Sequence, residues 1–189
     1  MRLNRRESGL LMGMLLLSAF LWAPFLTVKA ALGSGDDDEH VPPRTPLVDL
    51  CAWFPSPKAA ELVPKARAPK LEAYFFGQVR CDWVGDDERT KLGVSAFRPS
   101  GTLTPEKESA KAREFYIGQT DGGDPAGIGD MSAISVKHGS DYSEAHVVVL
   151  DGVLVAEVTY RLPGKRTDVA AKAREAAVEL LKVLPPKGL

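Results

Sequence analysis

His146 and Glu157 are the residues whose types and spacing come closest to a catalytic arrangement. They lie in the segments SEAHVVVL and VLVAEVTYR, which flank Asp151-Gly152, a dipeptide well suited to a two-residue type I′ hairpin turn. With that turn Leu150 faces Val153, and His146 faces Glu157. An opposed histidine and carboxylate can act as a general acid/base pair.

No nucleophile accompanies this pair in the sequence, and a cross-strand ion pair would explain it equally well. Glycines around a hydrolase serine, zinc-protease spacing, phosphate-binding loops and dinucleotide fingerprints are absent from the sequence. Asp121, Asp124 and Asp130 carry suitable oxygens, but their spacing matches no EF-hand. We therefore predict no catalytic residue, no cofactor and no metal site, and we keep His146 and Glu157 as a candidate polar pair.

The first 30 residues predict export. Arg2, Arg5 and Arg6 precede a nearly unbroken apolar run over 10–28, and positive charge before such a run holds the start of the chain in the cytoplasm. The run is as long as a membrane span requires. Residues 1–30 are therefore either a cleaved signal peptide or an N-terminal membrane anchor, and the remainder is extracytoplasmic, secreted or held at the cell membrane.

Residues 31–46 predict a disordered linker. The segment GSGDDDEHVPPRTP combines glycine, an acidic run and three prolines, and such a composition buries little apolar surface. Four of the 24 basic residues and one of the 25 acidic residues precede Ala31, which leaves 20 basic and 24 acidic residues. A mildly acidic domain without a basic patch excludes nucleic acid as a partner.

Cys51 and Cys81 each stand two residues before a tryptophan, in CAW and CDW. The segment QVRCDWV alternates in polarity, so Cys81 and Trp83 point to the same face of a strand. The segment PSPKAAELV has the serine and proline that begin a helix. Outside the cytoplasm two cysteines predict one disulfide, which would tie the start of this helix to a central strand, with both tryptophans around the sulfurs.

The remaining pattern predicts one domain over 47–185. Its expected elements are a hairpin over 78–98, a helix over 104–116, a strand near 132–137, the hairpin around Asp151-Gly152 and an alanine-rich helix over 169–184. This order predicts an α+β fold in which an antiparallel β-sheet of about five strands is covered by two to three helices, a sandwich. The apolar face of the second hairpin is predicted to carry Ala145, Val147, Val149, Leu154, Ala156, Val158 and Tyr160.

The motifs LCAWFPSPKAAELV, CDW and GIGDMS, followed by two strands and an alanine-rich helix, resemble exported proteins and lipoproteins of unknown function from actinobacteria. Those proteins share a cysteine, a helix, C-x-W and G-x-G-D, and the likeness spans residues 46–184. The resemblance implies extracytoplasmic placement, the single disulfide and a sandwich similar to the PsbP-like fold. It supplies no catalytic residues, and this chain lacks the lipid-bearing cysteine of many members.

Together these observations predict a non-catalytic extracytoplasmic domain that binds or senses a cell-envelope protein or a small ligand. Two alternatives stay open. One is an envelope-acting enzyme of unfamiliar type that uses His146 and Glu157. The other is a scaffolding protein anchored in the membrane through residues 10–28.

Overall fold

The strands form one antiparallel sheet. In the computed structural model, which describes residues 49–74, 77–99, 103–120 and 122–184, seven strands lie in the order β1-β2-β3-β7-β6-β5-β4. The strands are β1 (Lys70–Ala73), β2 (Gln78–Val84), β3 (Lys91–Phe97), β4 (Asp124–Pro125), β5 (Met131–His138), β6 (Tyr142–Asp151) and β7 (Leu154–Pro163). All described residues belong to one compact unit.

Four helices accompany the sheet within the same described ranges. They are α1 (Leu50–Trp53), α2 (Ser56–Leu62), α3 (Pro105–Gln119) and α4 (Val169–Val183). Asp49 caps α1, because its side chain accepts from the backbone N–H groups of Cys51 and Ala52 at 3.0 and 3.1 Å. Thr104 precedes α3, and Pro105 occupies its first position, where the missing N–H and fixed φ of proline are tolerated.

The α+β class and the antiparallel sheet are confirmed, but the expected element count was too low. The described part of the chain has two more strands than predicted, and both are short: β1 at one edge and β4 at the other. The short helix α1 was missed as well. An edge strand is defined by backbone pairing with its neighbour and buries few side chains, so it leaves no apolar period in the sequence.

One face of the sheet, here called the first face, packs against α1, α2 and α4. Its core includes Val94, Val147 and Val158 from the strands, all fully buried. The predicted apolar face of the second hairpin lies in this core, and so does one side of α4, the predicted alanine-rich helix, through Val169, Ala173, Ala176, Ala177 and Leu180. The strand period of two residues and the helix period of 3.6 residues therefore identified the residues of the main core from the sequence.

The opposite face, here called the second face, is only partly covered. Helix α3 buries Ala112 and Tyr116 against a small apolar cluster at one end, formed by Phe97, Val148, Leu150 and Val155. The ring of Phe115 stacks on Phe97 with 4.1 Å between centroids. Helices therefore lie on both faces of the sheet, and the predicted sandwich describes the first face alone.

The register of the β6–β7 hairpin differs from the prediction by two positions. Asp151 pairs with Leu154, so the turn residues are Gly152 and Val153, and His146 pairs with Thr159. Gly152 has a φ of 65°, which suits the first central residue of a type II′ turn. Its N–H donates to Asp130 Oδ2 at 2.8 Å. Because strand side chains alternate with a period of two, this shift leaves every side chain on its predicted face.

The predicted disulfide is present. Cys51 and Cys81 are bonded, with 5.3 Å between their Cα atoms. Two details were wrong: Cys51 lies inside α1 and not at the start of the next helix, and β2 is the second strand from the sheet edge and not a central one. The ring of Phe54 lies against Trp83, with centroids 5.4 Å apart.

Tyr160 supplies a test of the first-face core. Its side chain is 1% exposed, and its hydroxyl donates to the backbone oxygen of Leu62 at 2.8 Å. Burial raises the pKa of Tyr160 to about 12. The unfolded chain ionises near pH 10, so the stability contributed by the neutral hydroxyl is fully present below pH 10 and is lost between pH 10 and about 12.

We expect Tyr160→Phe to lower the free energy of unfolding by about 1 to 2 kcal/mol at neutral pH, because the Leu62 carbonyl loses its donor. The variant should also lose less stability than the parent chain between pH 10 and 12. Urea unfolding of the full chain at several pH values measures both effects. Tyr142→Phe is the matched control, because Tyr142 is half-buried and lies on the second face. An identical alkaline slope in Tyr160→Phe and parent would contradict the prediction.

The predicted export segment (residues 1–30) and the predicted linker (residues 31–46) lie outside the described residues. Within the described ranges, no helix combines the length and apolarity needed to cross a membrane.

Candidate functional site

Most of the second face beyond α3 is polar. The alternating pattern of four neighbouring strands places charged and hydrogen-bonding side chains in adjacent rows there. We call this surface the polar band; its members are Gln78, Arg80, Asp82, Ser95, Glu144, His146, Glu157, Thr159 and Arg161. All except the buried Ser95 are half-buried.

His146 and Glu157 meet in the polar band as diagonal neighbours. Glu157 pairs across the strands with Val148 and not with His146, but His146 Nε2 still lies 3.4 Å from Glu157 Oε2. The carboxylate is 12% exposed and the imidazole 29%. The structure therefore brings the predicted pair together, although the facing residue of the prediction was wrong.

The Glu157 carboxylate is only loosely satisfied by the hydrogen bonds around it. Gln78 Nε2 lies 3.4 Å from Glu157 Oε1 and 3.5 Å from Ser95 Oγ. These separations, like the one to His146, exceed the 2.7 to about 3.2 Å of a typical protein hydrogen bond. A nearly buried carboxylate accepts up to about four hydrogen bonds, so Glu157 retains capacity for a further donor.

The arginines of the polar band are committed to other carboxylates. Arg80 binds Asp82 through three hydrogen bonds of 2.8 to 3.0 Å, and this partner raises the pKa of the Arg80 guanidinium. The pair lies over Gly93, where a Cβ atom would come within 2.5 Å of Arg80 Nη2. Arg161 binds Glu144 at 2.5 to 2.6 Å. Neither arginine donates its short hydrogen bonds to Glu157.

Ser135 is a site residue that sequence reasoning missed. It lies on β5 directly opposite His146 on β6, so Ser135, His146 and Glu157 follow one another across β5, β6 and β7. The turn between β5 and β6 carries no dipeptide that fixes its length, so the sequence alone did not set this register. The sequence offered only the alternation along β5, which could assign Ser135 to a face of the strand but not to a partner on β6.

A shallow pocket opens beside His146, at the C-terminal end of α3. We call it the α3 pocket; it is an open depression with room for about one water-sized group. Buried Ala133 and Val148 provide its apolar part. The other lining residues are polar or backbone: Gln119, Thr120, Gly123, Ser135 and His146.

Gly123 is required where the chain after α3 approaches β5. A Cβ atom at this position would lie 2.7 Å from the backbone oxygen of Ile134, and side chains do not come that close to a carbonyl oxygen. The glycine therefore lets this segment close one side of the α3 pocket.

The described residues contain no group of three or more His, Cys, Asp or Glu side chains that could hold a metal ion. Asp130 accepts from the N–H of Gly152 in the β6–β7 turn, and Asp121 lies outside the described residues. The arrangement beside the α3 pocket suits hydrogen bonding and charge recognition by side chains.

Comparison with known proteins identifies no family. No family model matches the sequence, and no curated protein matches it. A 1.50 Å crystal structure of a protein from Bacteroides thetaiotaomicron VPI-5482 is 13% identical, with a TM-score of 0.33; the match covers 58% of this chain and 40% of that chain. A likeness of this size establishes neither fold nor function.

Proposed function

We propose that this protein is a non-catalytic extracytoplasmic domain that binds or senses a cell-envelope protein or a small ligand. The observation that carries the proposal is the polar band next to the α3 pocket. It presents a nearly buried carboxylate with loose hydrogen bonds, and His146, which contacts this carboxylate, lines an open depression. Polar groups held at fixed positions can orient a bound partner and provide specificity.

The disulfide supports the extracytoplasmic part of the proposal. Disulfides persist in oxidising compartments and are rare in the cytosol, and the Cys51–Cys81 bond is formed.

The proposal includes export through residues 1–30 and membership of the actinobacterial family with a PsbP-like arrangement. Mass spectrometry of the native protein tests export: a mature start near Ala31 supports a cleaved signal peptide, whereas an intact N-terminus supports the membrane-anchored alternative.

A capture experiment tests binding. The full chain is immobilised and exposed to cell-envelope fractions of the source cells, and retained molecules are identified by mass spectrometry. We expect a component that the parent chain retains and that His146→Ala loses. Lys107→Ala, on the exposed side of α3, is the matched control and should retain it. Equal retention by parent and His146→Ala, or no retention at all, would contradict the proposal.

One observation favours a second candidate function, an envelope-acting hydrolase. Ser135 lies opposite His146, whose ring contacts Glu157, and a serine, a base and an orienting carboxylate are the parts of a nucleophilic hydrolase. A fluorophosphonate probe tests it: Ser135 Oγ would bond to phosphorus, fluoride would leave, and His146 would take the serine proton. If the parent chain and Ser140→Ala are labelled but Ser135→Ala is not, the hydrolase function replaces the binding proposal. If the parent chain is not labelled, the hydrolase function is excluded.

A further inference from the structure

Edge strand β1 carries two residues whose backbone groups point away from its neighbour β2. Antiparallel strands alternate between residue pairs that exchange hydrogen bonds and pairs that do not. The Tyr74 N–H donates to the Gln78 oxygen at 2.9 Å, which fixes the phase of this alternation along β1. Glu72 is accordingly directed toward β2, whereas Leu71 and Ala73 are directed outward. Each of these two residues therefore presents one N–H and one C=O group at the edge of the sheet.

The outward groups of Leu71 and Ala73 are available to another strand. In the described part of the chain β2 is the only strand that pairs with β1, and no turn or loop hydrogen bond involves these groups. The Leu71 residue is also 46% exposed. A row of unpaired N–H and C=O groups with an exposed apolar side chain is a template for the addition of a further strand.

The opposite edge of the sheet is less suited to a further strand. The Ala126 N–H donates to the Ser132 oxygen on β5 at 3.3 Å, so the preceding residue, Pro125 of β4, is directed outward. Proline has no N–H to offer there. The exposed part of β5 beyond β4 carries Lys137, and lysine on an edge strand opposes pairing with other chains. An incoming strand is therefore favoured at β1.

The charges on β1 are complementary to those of a second copy of the same strand. On the second face, Lys70 lies opposite Asp82 and Glu72 lies opposite Arg80. Antiparallel pairing of two β1 strands about a two-fold axis at Leu71 places Lys70 of each copy opposite Glu72 of the other. The signs across the four strands, from Asp82 of one copy to Arg80 of the other, are then negative, positive, negative and positive. Opposite charges that face each other across strands stabilise the pairing.

The same charges select the register of this pairing. Placing Leu71 of one copy opposite Ala73 of the other would bring the two Glu72 carboxylates directly against each other, and facing like charges destabilise a sheet. Centring the pairing on Leu71 avoids that contact. It also brings the two exposed leucine side chains together on the first face, which removes apolar surface from water.

We infer that two copies of this chain associate by antiparallel pairing of their β1 strands, centred on Leu71, to form one continuous sheet. The Leu71 N–H of each copy donates to the Leu71 oxygen of the other, and Lys70 and Glu72 form two ion pairs across the junction. Two short edge strands bury less surface than the roughly 1,200 Å² of a stable complex. The dimer is therefore weak and its formation depends on concentration. The inference is independent of the proposed ligand binding.

Sedimentation equilibrium of the full chain between about 10 μM and 1 mM tests the inference. We expect the dimer fraction of the parent chain to rise over this range and to be lost in Leu71→Pro. The substitution removes an outward N–H that is not donated to β2, and proline is tolerated at such edge positions. Val136→Pro, at an outward position on β5, is the matched control and should dimerise like the parent. A parent chain that stays monomeric, or a folded Leu71→Pro that still dimerises, would overturn the inference.

Neutral isosteres test the contribution of the charges. The double variant Lys70→Gln, Glu72→Gln removes both ion pairs across the junction, and we expect it to weaken dimerisation by about fivefold. Lys182→Gln, Glu179→Gln makes the same charge change at an exposed pair on α4 and should leave dimerisation unchanged. Equal dimerisation constants for these two double variants would overturn the inference.

Amide hydrogen exchange in the parent chain locates the junction without any substitution. We expect exchange of the Leu71 N–H to slow as the protein concentration rises, because this group gains an acceptor in the dimer. Exchange of the Glu72 N–H, which is directed toward β2, should not change with concentration. Leu71 exchange that is independent of concentration in a chain that dimerises would place the interface elsewhere and overturn the inference.

Discussion

Replacing Phe54 by alanine is expected to lower the free energy of unfolding by about 3 to 5 kcal/mol, the range for truncating a buried phenylalanine. Phe54 has no exposed surface and belongs to the first-face core. Its ring contacts Trp83 on β2, and its backbone N–H closes α1 by donating to the Leu50 oxygen at 2.9 Å. Truncation leaves a cavity where α1 meets the sheet, which the surrounding strands fill only partly.

Urea unfolding of the full chain, followed by circular dichroism, measures this loss. Phe115→Ala is the matched control, because the Phe115 ring is half-buried and stacks on Phe97 from α3. We expect it to cost about 1 to 2 kcal/mol, in line with the smaller area that it buries. Similar losses in both variants would show that the first face is not the main core.

Removing the disulfide is the second change with a large expected effect. The bond closes a loop with a sequence separation of 30 residues, and restricting a loop of that length in the unfolded chain contributes about 3 to 4 kcal/mol. The double variant Cys51→Ala, Cys81→Ala should therefore unfold at a markedly lower urea concentration. Alanine is preferable to serine, because Cys81 is fully buried and a hydroxyl there would lack a partner.

Reducing agent provides the control for this variant. It should destabilise the parent chain to nearly the same extent as the double substitution and should leave the double variant unchanged. A loss below about 1 kcal/mol, outside the usual range for a native disulfide, would contradict the prediction. Two reactive thiols in the native protein, found by thiol titration, would show that the bond is not formed.

The pairing of His146 with Glu157 shows how much of the site was predictable. Placing both residues on one face required only alternation along β6 and β7, a property of each strand by itself. The cross-strand partner depended on the turn, and Gly152-Val153 replaced Asp151-Gly152 as its central residues. The pair survived this error because a shift of two positions turns facing residues into diagonal neighbours, which remain within reach of long side chains.

The α3 pocket was beyond prediction for a different reason. It is formed where Gln119 of α3 and the following Thr120 approach Ser135 and His146 of the sheet, and the two pairs are far apart in the chain. The sequence predicted a helix over 104–116 but not which face of the sheet this helix would cover. That choice depends on the small apolar cluster around Phe97 and Val155, whose members come from separate strands.

The sequence by itself determined the antiparallel α+β class, the disulfide and the first-face core. Each of these follows from local information: strand and helix periods, helix-start residues, and two cysteines in a chain with a predicted export segment. Tertiary structure alone decided the two edge strands, the placement of α3, the position of Ser135 opposite His146, and the α3 pocket. These features arise from pairing and packing between segments that are distant in the chain. They are stabilised by apolar surface that becomes buried only when those segments come together.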